Sequence, residues 1–427
     1  MIKTLTKAVR FSLYILIVST ITLGAFAAGQ KKEPRKLSML ADPPVWSRLD
    51  AYQNTITRSD FEKLLNKVYA PRGTAAPYME ISDSGAKILA EDGHYYEIGF
   101  APDSAALTTN PRYWKVLRDY RSPNPEKPLE GLTIAIDPGH IGGKYAIIEE
   151  RWFQLGDDRP VTEGDMTLQV AKLMVPQLVD LGANVILIRD KNVPVTSTRP
   201  GDLRKEARME FLLNGVTNPY ENYKGMNDPK KPRSIQSMSE LLFYRASEIR
   251  ARGKKVEQTK PDLVLCLHFN AEGWGRADRP RLVAGSHSHI LINGAYSKGE
   301  LFQEDIRFEM FKKLMGQAYY DEVVLADFLA GAMLKANGLP PFTYHGSNAV
   351  KVGESPYVWG RNLLANRIYD CPTIFLEPYV MNNKTDYLRI QMGDYEGTKM
   401  VEGTPRKSIF REYADSTVEG LKAFFTR

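Results

Sequence analysis

The sequence predicts an α/β fold with a mixed, largely parallel sheet flanked by helices on both faces, preceded by a small α+β domain. Three observations carry this prediction. From Gly131 onward short apolar runs alternate with stretches of helical periodicity, the pattern of a sheet covered on both sides. Those runs are four to eight residues long and bounded by Gly, Pro, Asn or Asp, the length and punctuation of buried strands. Residues 40–105 instead place one helix before closely spaced turn signals, which is α+β order.

The elements follow in chain order. Residues 1–10 are short and basic, 11–28 are apolar and uncharged, and Ala25-Phe26-Ala27 supplies a small-x-small cleavage pattern. Residues 1–28 are therefore expected to be a signal peptide and 29–40 a mobile leader. The alternative is an uncleaved anchor, since the run approaches the roughly 17–25 residues that span a bilayer. Export puts the protein in the periplasm or outside the cell, and it touches a membrane only if the segment stays uncleaved. Residues 41–105 form the small domain. Ser59-Asp60-Phe61-Glu62 reads as a capping box opening a helix through Tyr69, and turns at 83–85 and 91–93 separate three strands near 78–82, 86–90 and 94–101. Residues 106–130, rich in Pro and Asn near their end, read as a linker.

In the main domain, 131–427, strands are expected at 132–136, 184–189, 263–270, 287–293 and 373–376. Helices are expected at 165–181, 239–252, 322–337 and 410–425. Long polar inserts lie near 200–260 and 272–285, and loops of such length are either functional or mobile. The length suits about two or three domains.

Composition narrows the function classes. With 43% hydrophobic and 25% charged residues, the chain is neither collagenous, coiled-coil nor disordered. The formal charge is +6, and Lys3, Lys7 and Arg10 account for half of it, so no basic stripe argues for nucleic acid. Two cysteines exclude a disulfide scaffold and a four-thiolate zinc site. Cys266 and Cys371 are expected to be a free buried pair, or one disulfide if their strands are neighbours.

Three chemical features fall at predicted strand ends, where open α/β sheets place their sites. They are Asp137-Pro138-Gly139-His140, then His268 with Asn270, and then Glu377. Glu163 stands at the start of a helix, where the positive helix end favours a carboxylate. Two histidines and a carboxylate match the ligand set of a catalytic zinc site, and a further carboxylate can serve as general base. The sequence-local H-E-x-x-H signature is absent, so such a site must assemble from distant segments. Each histidine taken alone reads first as a structural residue, and only their shared position at predicted strand ends brings the metal reading level with it. Asp137 reads either as the acceptor that fixes a histidine tautomer or as a turn cap.

Over residues 130–427 the sequence resembles the zinc-dependent N-acetylmuramoyl-L-alanine amidases, which cleave the sugar–peptide amide of peptidoglycan. The family's D-P-G-H turn is matched by Asp137–His140. Its glutamate with following helix is matched by Glu163, Leu168 and Ala171. Its A-D-x-x-x-S-x-H-x-N-A segment is matched by 261–271, and its R-x-x-x-x-P-x-x-x-x-E element by Arg367, Pro372 and Glu377. The resemblance implies zinc (Zn2+) held by His140, Glu163 and His268, with Glu377 as catalytic carboxylate. It gives Arg367 a role in orienting the substrate or the oxyanion. It implies peptidoglycan as partner and allows a protein activator. A zinc peptidase cutting within stem peptides and a non-catalytic wall-binding module are the alternatives.

The sequence also departs from the family. Ile141 replaces a glycine, Cys266 replaces a serine, and Glu149 and Glu150 are rival ligands in a long stretch between His140 and Glu163. The in-frame helix pattern favours Glu163. His287 and His289 share one face of a strand, as a second metal site, a substrate contact or a hydrogen-bonded face. His94 and His345 have no partner pattern. Lys230-Lys231-Pro232-Arg233 reads as a solvated loop or a contact for anionic wall polymers. The insert at 200–260 reads as a lid over the site or as passive elaboration.

Overall fold

The computed structural model describes residues 37–90, 93–277 and 279–427. The signal-peptide and most of the leader expectations fall outside these residues, as does part of the turn at 91–93. Among the described residues no helix is long and apolar enough to cross a membrane.

Thr57 caps the first helix, α1 (Arg58–Leu64), by accepting from Asp60 N, and a π-helical turn carries the chain on to Tyr69. The expected meander follows as β1 (Met79–Ile81), β2 (Gly85–Leu89) and β3 (Tyr95–Gly99), all antiparallel. The expected linker is not a free tether. Leu117 and Leu129 are fully buried, and Lys115 N donates to Asp262 Oδ1 at 2.9 Å.

Seven strands form the central sheet. They are β4 (Thr133–Pro138), β5 (Asn184–Leu187), β6 (Leu263–Leu267), β7 (His289–Ile292), β8 (Val350–Lys351), β9 (Val358–Gly360) and β10 (Thr373–Glu377), in the order β8-β9-β7-β10-β6-β4-β5. The β5-β4-β6-β10 block is parallel throughout, and β7 joins it antiparallel. The prediction of a mixed, largely parallel sheet holds. Alternation along each strand divides the core in two. Ile134, Ile136, Leu265, Leu267, Ile374 and Leu376 face α2 (Glu163–Asp180) and the helices at Tyr319–Asn337 and Ile409–Phe425. Ala135, Val264, Cys266, Leu291 and Phe375 face the other way, toward Val256, Ala365 and Tyr369.

Two regions differ from expectation. Residues 200–235 are not a polar loop throughout, because α3 (Arg204–Leu213) and then α4 (Ile235–Leu242) pack Leu203, Ala207, Phe211, Ile235 and Leu242 into a third apolar cluster. A π-helical turn joins α4 to α5 (Glu248–Thr259), so the expected helix starts earlier and ends later. Glu304–Gly316 is a helix that the periodicity did not reveal. It is buried nearly all round, and its charges are satisfied internally, Glu304 by Trp46 Nε1 and Lys313 by Glu322, which removes any polar stripe.

Candidate metal centre

The site is built where β4, β6 and β10 end. The turn after β4 carries His140 with a positive φ of 59°. Its backbone is held on both sides. Glu149 accepts from Ile141 N at 2.8 Å and Gly142 N at 3.0 Å, while Arg252 Nη2 donates to the His140 carbonyl at 2.7 Å. Gly139 lets the turn close on its neighbour, because a Cβ there would lie 2.6 Å from His268 Nε2. Gly164 does the same one layer away, where a Cβ would lie 2.3 Å from Gly142 N. That contact seats the start of α2, and with it Glu163, against the turn. Thr167 Oγ1 donates to the Gly139 carbonyl at 2.7 Å and Arg189 Nη2 to the Gly164 carbonyl at 2.7 Å, locking helix to turn.

His140, Glu163 and His268 converge, with one ligand atom from each within 4.8 Å of the others. Glu163 Oε1 lies 3.0 Å from His268 Nδ1 and accepts from Phe269 N at 3.1 Å. Glu163 Oε2 lies 3.3 Å from His140 Nε2 and 3.2 Å from Arg151 Nε. The His268 ring stacks on Phe375, with centroids 5.3 Å apart. Burial alone would discharge these groups, yet the carboxylates of Glu163 and Glu149 outweigh it and raise His140 to about 9. Glu163, also buried, is held well below the usual carboxylate range by the two histidines. The donor set is that of a tetrahedral zinc site with a free position, and a buried, ionised carboxylate between two imidazoles suits a dication. The residues fit zinc.

Of the rival carboxylates, Glu149 spends its oxygens on the turn backbone and stands 3.7 Å from His140 Nδ1, leaving Nε2 for the centre. Glu150 is exposed and pairs with Lys231 at 2.9 Å. Asp137 binds neither histidine. Its oxygens take Arg252 Nη1 at 2.8 Å and the Tyr369 hydroxyl at 2.7 Å. Glu377 ends β10 on the sheet face of His268. Burial raises its carboxyl, the His268 charge opposes that, and Arg151 and Arg361 are the nearby cations.

Arg367 is not brought to this centre, which corrects its expected role. It is buried on a short helix, Leu364–Ile368, bonded to Glu309 Oε2 at 2.5 Å and Asn362 Oδ1 at 2.8 Å. Arg151, Arg252 and Arg361 stand nearer the site, and sequence reasoning singled out none of them. Their only sequence signal is a cation flanking apolar runs, which many surface positions share. His287 and His289 are both hydrogen-bonded to Asn270, with Glu272 on the far side of His287, and among the described residues they do not join a metal-ligand group of three. His94 and His345 are exposed. Cys266 and Cys371 are free and buried.

The insert packs on the turn itself. Ile141 is fully buried among Leu203, Ala207, Phe211, Ile235 and Phe243, so the residue that follows His140 anchors these helices on the turn.

Fold and site together define an α/β protein with a two-histidine, one-glutamate centre at the strand ends. No protein-family model matches the chain, and no curated protein does. Among solved structures it is similar to an N-acetylmuramyl-L-alanine amidase of Mycobacterium abscessus. The identity is 17% and the TM-score 0.37, over 69% of this chain and 99% of that one. It is also similar to an N-acetylmuramoyl-L-alanine amidase of Nostoc punctiforme, at 14% identity and a TM-score of 0.36, over 70% and 99% of the two chains. A third is an amidase of Clostridioides difficile solved in complex with a lipoprotein, at 12% identity and a TM-score of 0.37, over 69% and 98%.

Proposed function

We propose that this protein hydrolyses the amide between N-acetylmuramic acid and L-alanine in peptidoglycan, outside the cytoplasmic membrane, with a zinc ion held by His140, Glu163 and His268. The observation that carries the reading is the convergence of those three side chains beside Glu377. An amide is a poor electrophile with a poor leaving group, so it needs both Lewis acidity and a proton carrier. A dication in the centre supplies the Lewis acidity and acidifies water. Glu377 takes the proton of the attacking water and returns it to the leaving L-alanine nitrogen, a task suited to a carboxyl whose burial raises its proton affinity. Glu149 and Arg252 keep the His140 turn in its positive-φ conformation, so that Nε2 stays aimed at the centre.

The test is digestion of purified sacculi with and without a chelator, followed by mass spectrometry. Zinc-dependent release of stem peptides with a free L-alanine amine is expected. Fragments cut within the stem peptide would assign a peptidase instead, and binding without release would assign a non-catalytic module.

A further inference from the structure

A second polar system lies on the same sheet face, on the far side of Glu377, and the mechanism above leaves it unused. Strand pairing sets His289 of β7 directly opposite Glu377. Its hydrogens can be assigned from the backbone outward. Ala271 N donates to Asn270 Oδ1 at 3.1 Å, which fixes the amide orientation and turns Nδ2 toward Nδ1 of His287 (3.3 Å) and of His289 (3.1 Å). Both Nδ1 atoms must accept, so each ring carries its proton on Nε2. His287 then donates to Glu272 Oε1 at 3.1 Å, and His289 donates to the Tyr344 hydroxyl oxygen at 3.0 Å. Burial, with the nearby Arg361 cation, keeps His289 neutral.

The Tyr344 oxygen accepts a second bond, from Arg361 Nη1 at 3.2 Å, with the guanidinium 5.4 Å from the phenol ring centroid. An oxygen that already accepts twice presents its own proton outward, and among the described residues no acceptor meets it. Arg361 is equally unspent. Unlike Arg252 and Arg367, it has no carboxylate within ion-pair distance among the described residues, although it is half-buried. Phe342 and Trp359 flank the phenol, with centroids 4.8 and 5.4 Å away, and stiffen it.

We propose that Arg361 and Tyr344 form a carboxylate-binding subsite that seats an anionic group of the substrate's stem peptide beside Glu377. The guanidinium supplies a planar fork and the phenol a third donor, a set that matches a carboxylate and not a neutral amide. The chain from Glu272 through Asn270 holds the phenol proton in the donating direction. This subsite rests on the reading of the protein as an amidase of peptidoglycan, and the test separates the two.

The zinc-loaded protein is assayed on a soluble muropeptide with free stem carboxylates and on the same muropeptide with those groups amidated. In the wild type, amidation is expected to raise KM about 10- to 100-fold with kcat within about threefold, the range for loss of charge-assisted hydrogen bonds. Arg361→Gln should raise KM similarly on the acidic substrate and no longer distinguish the two. Arg361→Lys should recover part of the difference, and Tyr344→Phe should lie between. A wild type indifferent to amidation, or an Arg361→Gln variant that still discriminates, overturns the subsite. If the wild type hydrolyses neither muropeptide, the amidase reading fails on its own. Calorimetric binding of the free and amidated stem peptides to wild type and Arg361→Gln then decides the subsite independently.

Discussion

Arg252 joins the helices of residues 204–259 to the candidate metal centre, and its replacement by methionine is the most informative perturbation of that link. The guanidinium sits on α5, sealed from solvent, and makes four short bonds. Nε reaches Glu248 at 2.9 Å, Nη1 reaches Asp137 and the Pro138 carbonyl at 2.8 Å each, and Nη2 reaches the His140 carbonyl at 2.7 Å. Methionine fills comparable space but takes the directly bonded cation from two buried carboxylates, which keep only the more distant Arg189 charge among the described residues. Asp137 retains only the Tyr369 hydroxyl, and Glu248 retains Thr196 N at 3.0 Å. Breaking a buried ion pair from one side costs about 3–5 kcal/mol. The His140 carbonyl also loses its anchor, and loss of support behind a metal ligand typically costs about 10- to 100-fold in metal affinity. Urea unfolding of the metal-free protein measures the first effect, and zinc competition against a chromophoric chelator measures the second. Adding Asp137→Asn should restore part of the lost stability by removing a stranded charge. Destabilisation below about 1 kcal/mol, with unchanged zinc affinity, would refute the reasoning.

Two further outcomes are expected. His140 binds its proton up to about 9, against an ordinary 6.5, so below that value a proton competes with the metal for the ring. Zinc affinity should therefore rise with pH, by about tenfold or ~1.4 kcal/mol per unit from this group between pH 7 and 9, and a flat calorimetric profile would contradict it. Ile141→Ala empties the apolar seat of the insert and should cost about 2–5 kcal/mol. Limited proteolysis should then cut within 200–235 faster than in the wild type, and equal cutting rates would show that the insert is held elsewhere.

What the sequence could reveal followed from local physics. The apolar strands at Thr133–Pro138, Leu263–Leu267 and Thr373–Glu377 are short, bounded and buried, and the polar residues that end them fall together because the strands are parallel neighbours. Glu163 was legible because α2 keeps a clean apolar face behind it. Arg367 misled because a motif spacing counts residues and not geometry. The short helix Leu364–Ile368 turns Arg367 toward Glu309, while Arg361 follows β9 and reaches Tyr344. The helix at Glu304–Gly316 was hidden by its buried ion pairs, which break the apolar period that marks a core helix. The support of the His140 turn by Glu149 and Arg252 spans separations of up to 112 residues, which no local pattern encodes.

In the proposed mechanism Glu377 carries the proton while His140, Glu163 and His268 hold the zinc. The most direct measurement is zinc content and turnover on sacculi for Glu377→Gln beside Glu163→Gln. Glu377→Gln should keep one zinc per chain and lose about 10²- to 10⁴-fold in kcat, the worth of a general acid–base group. Glu163→Gln should lose the metal and the activity together. A Glu377→Gln variant that turns over at the wild-type rate, or a Glu163→Gln variant that retains its zinc, would contradict the account.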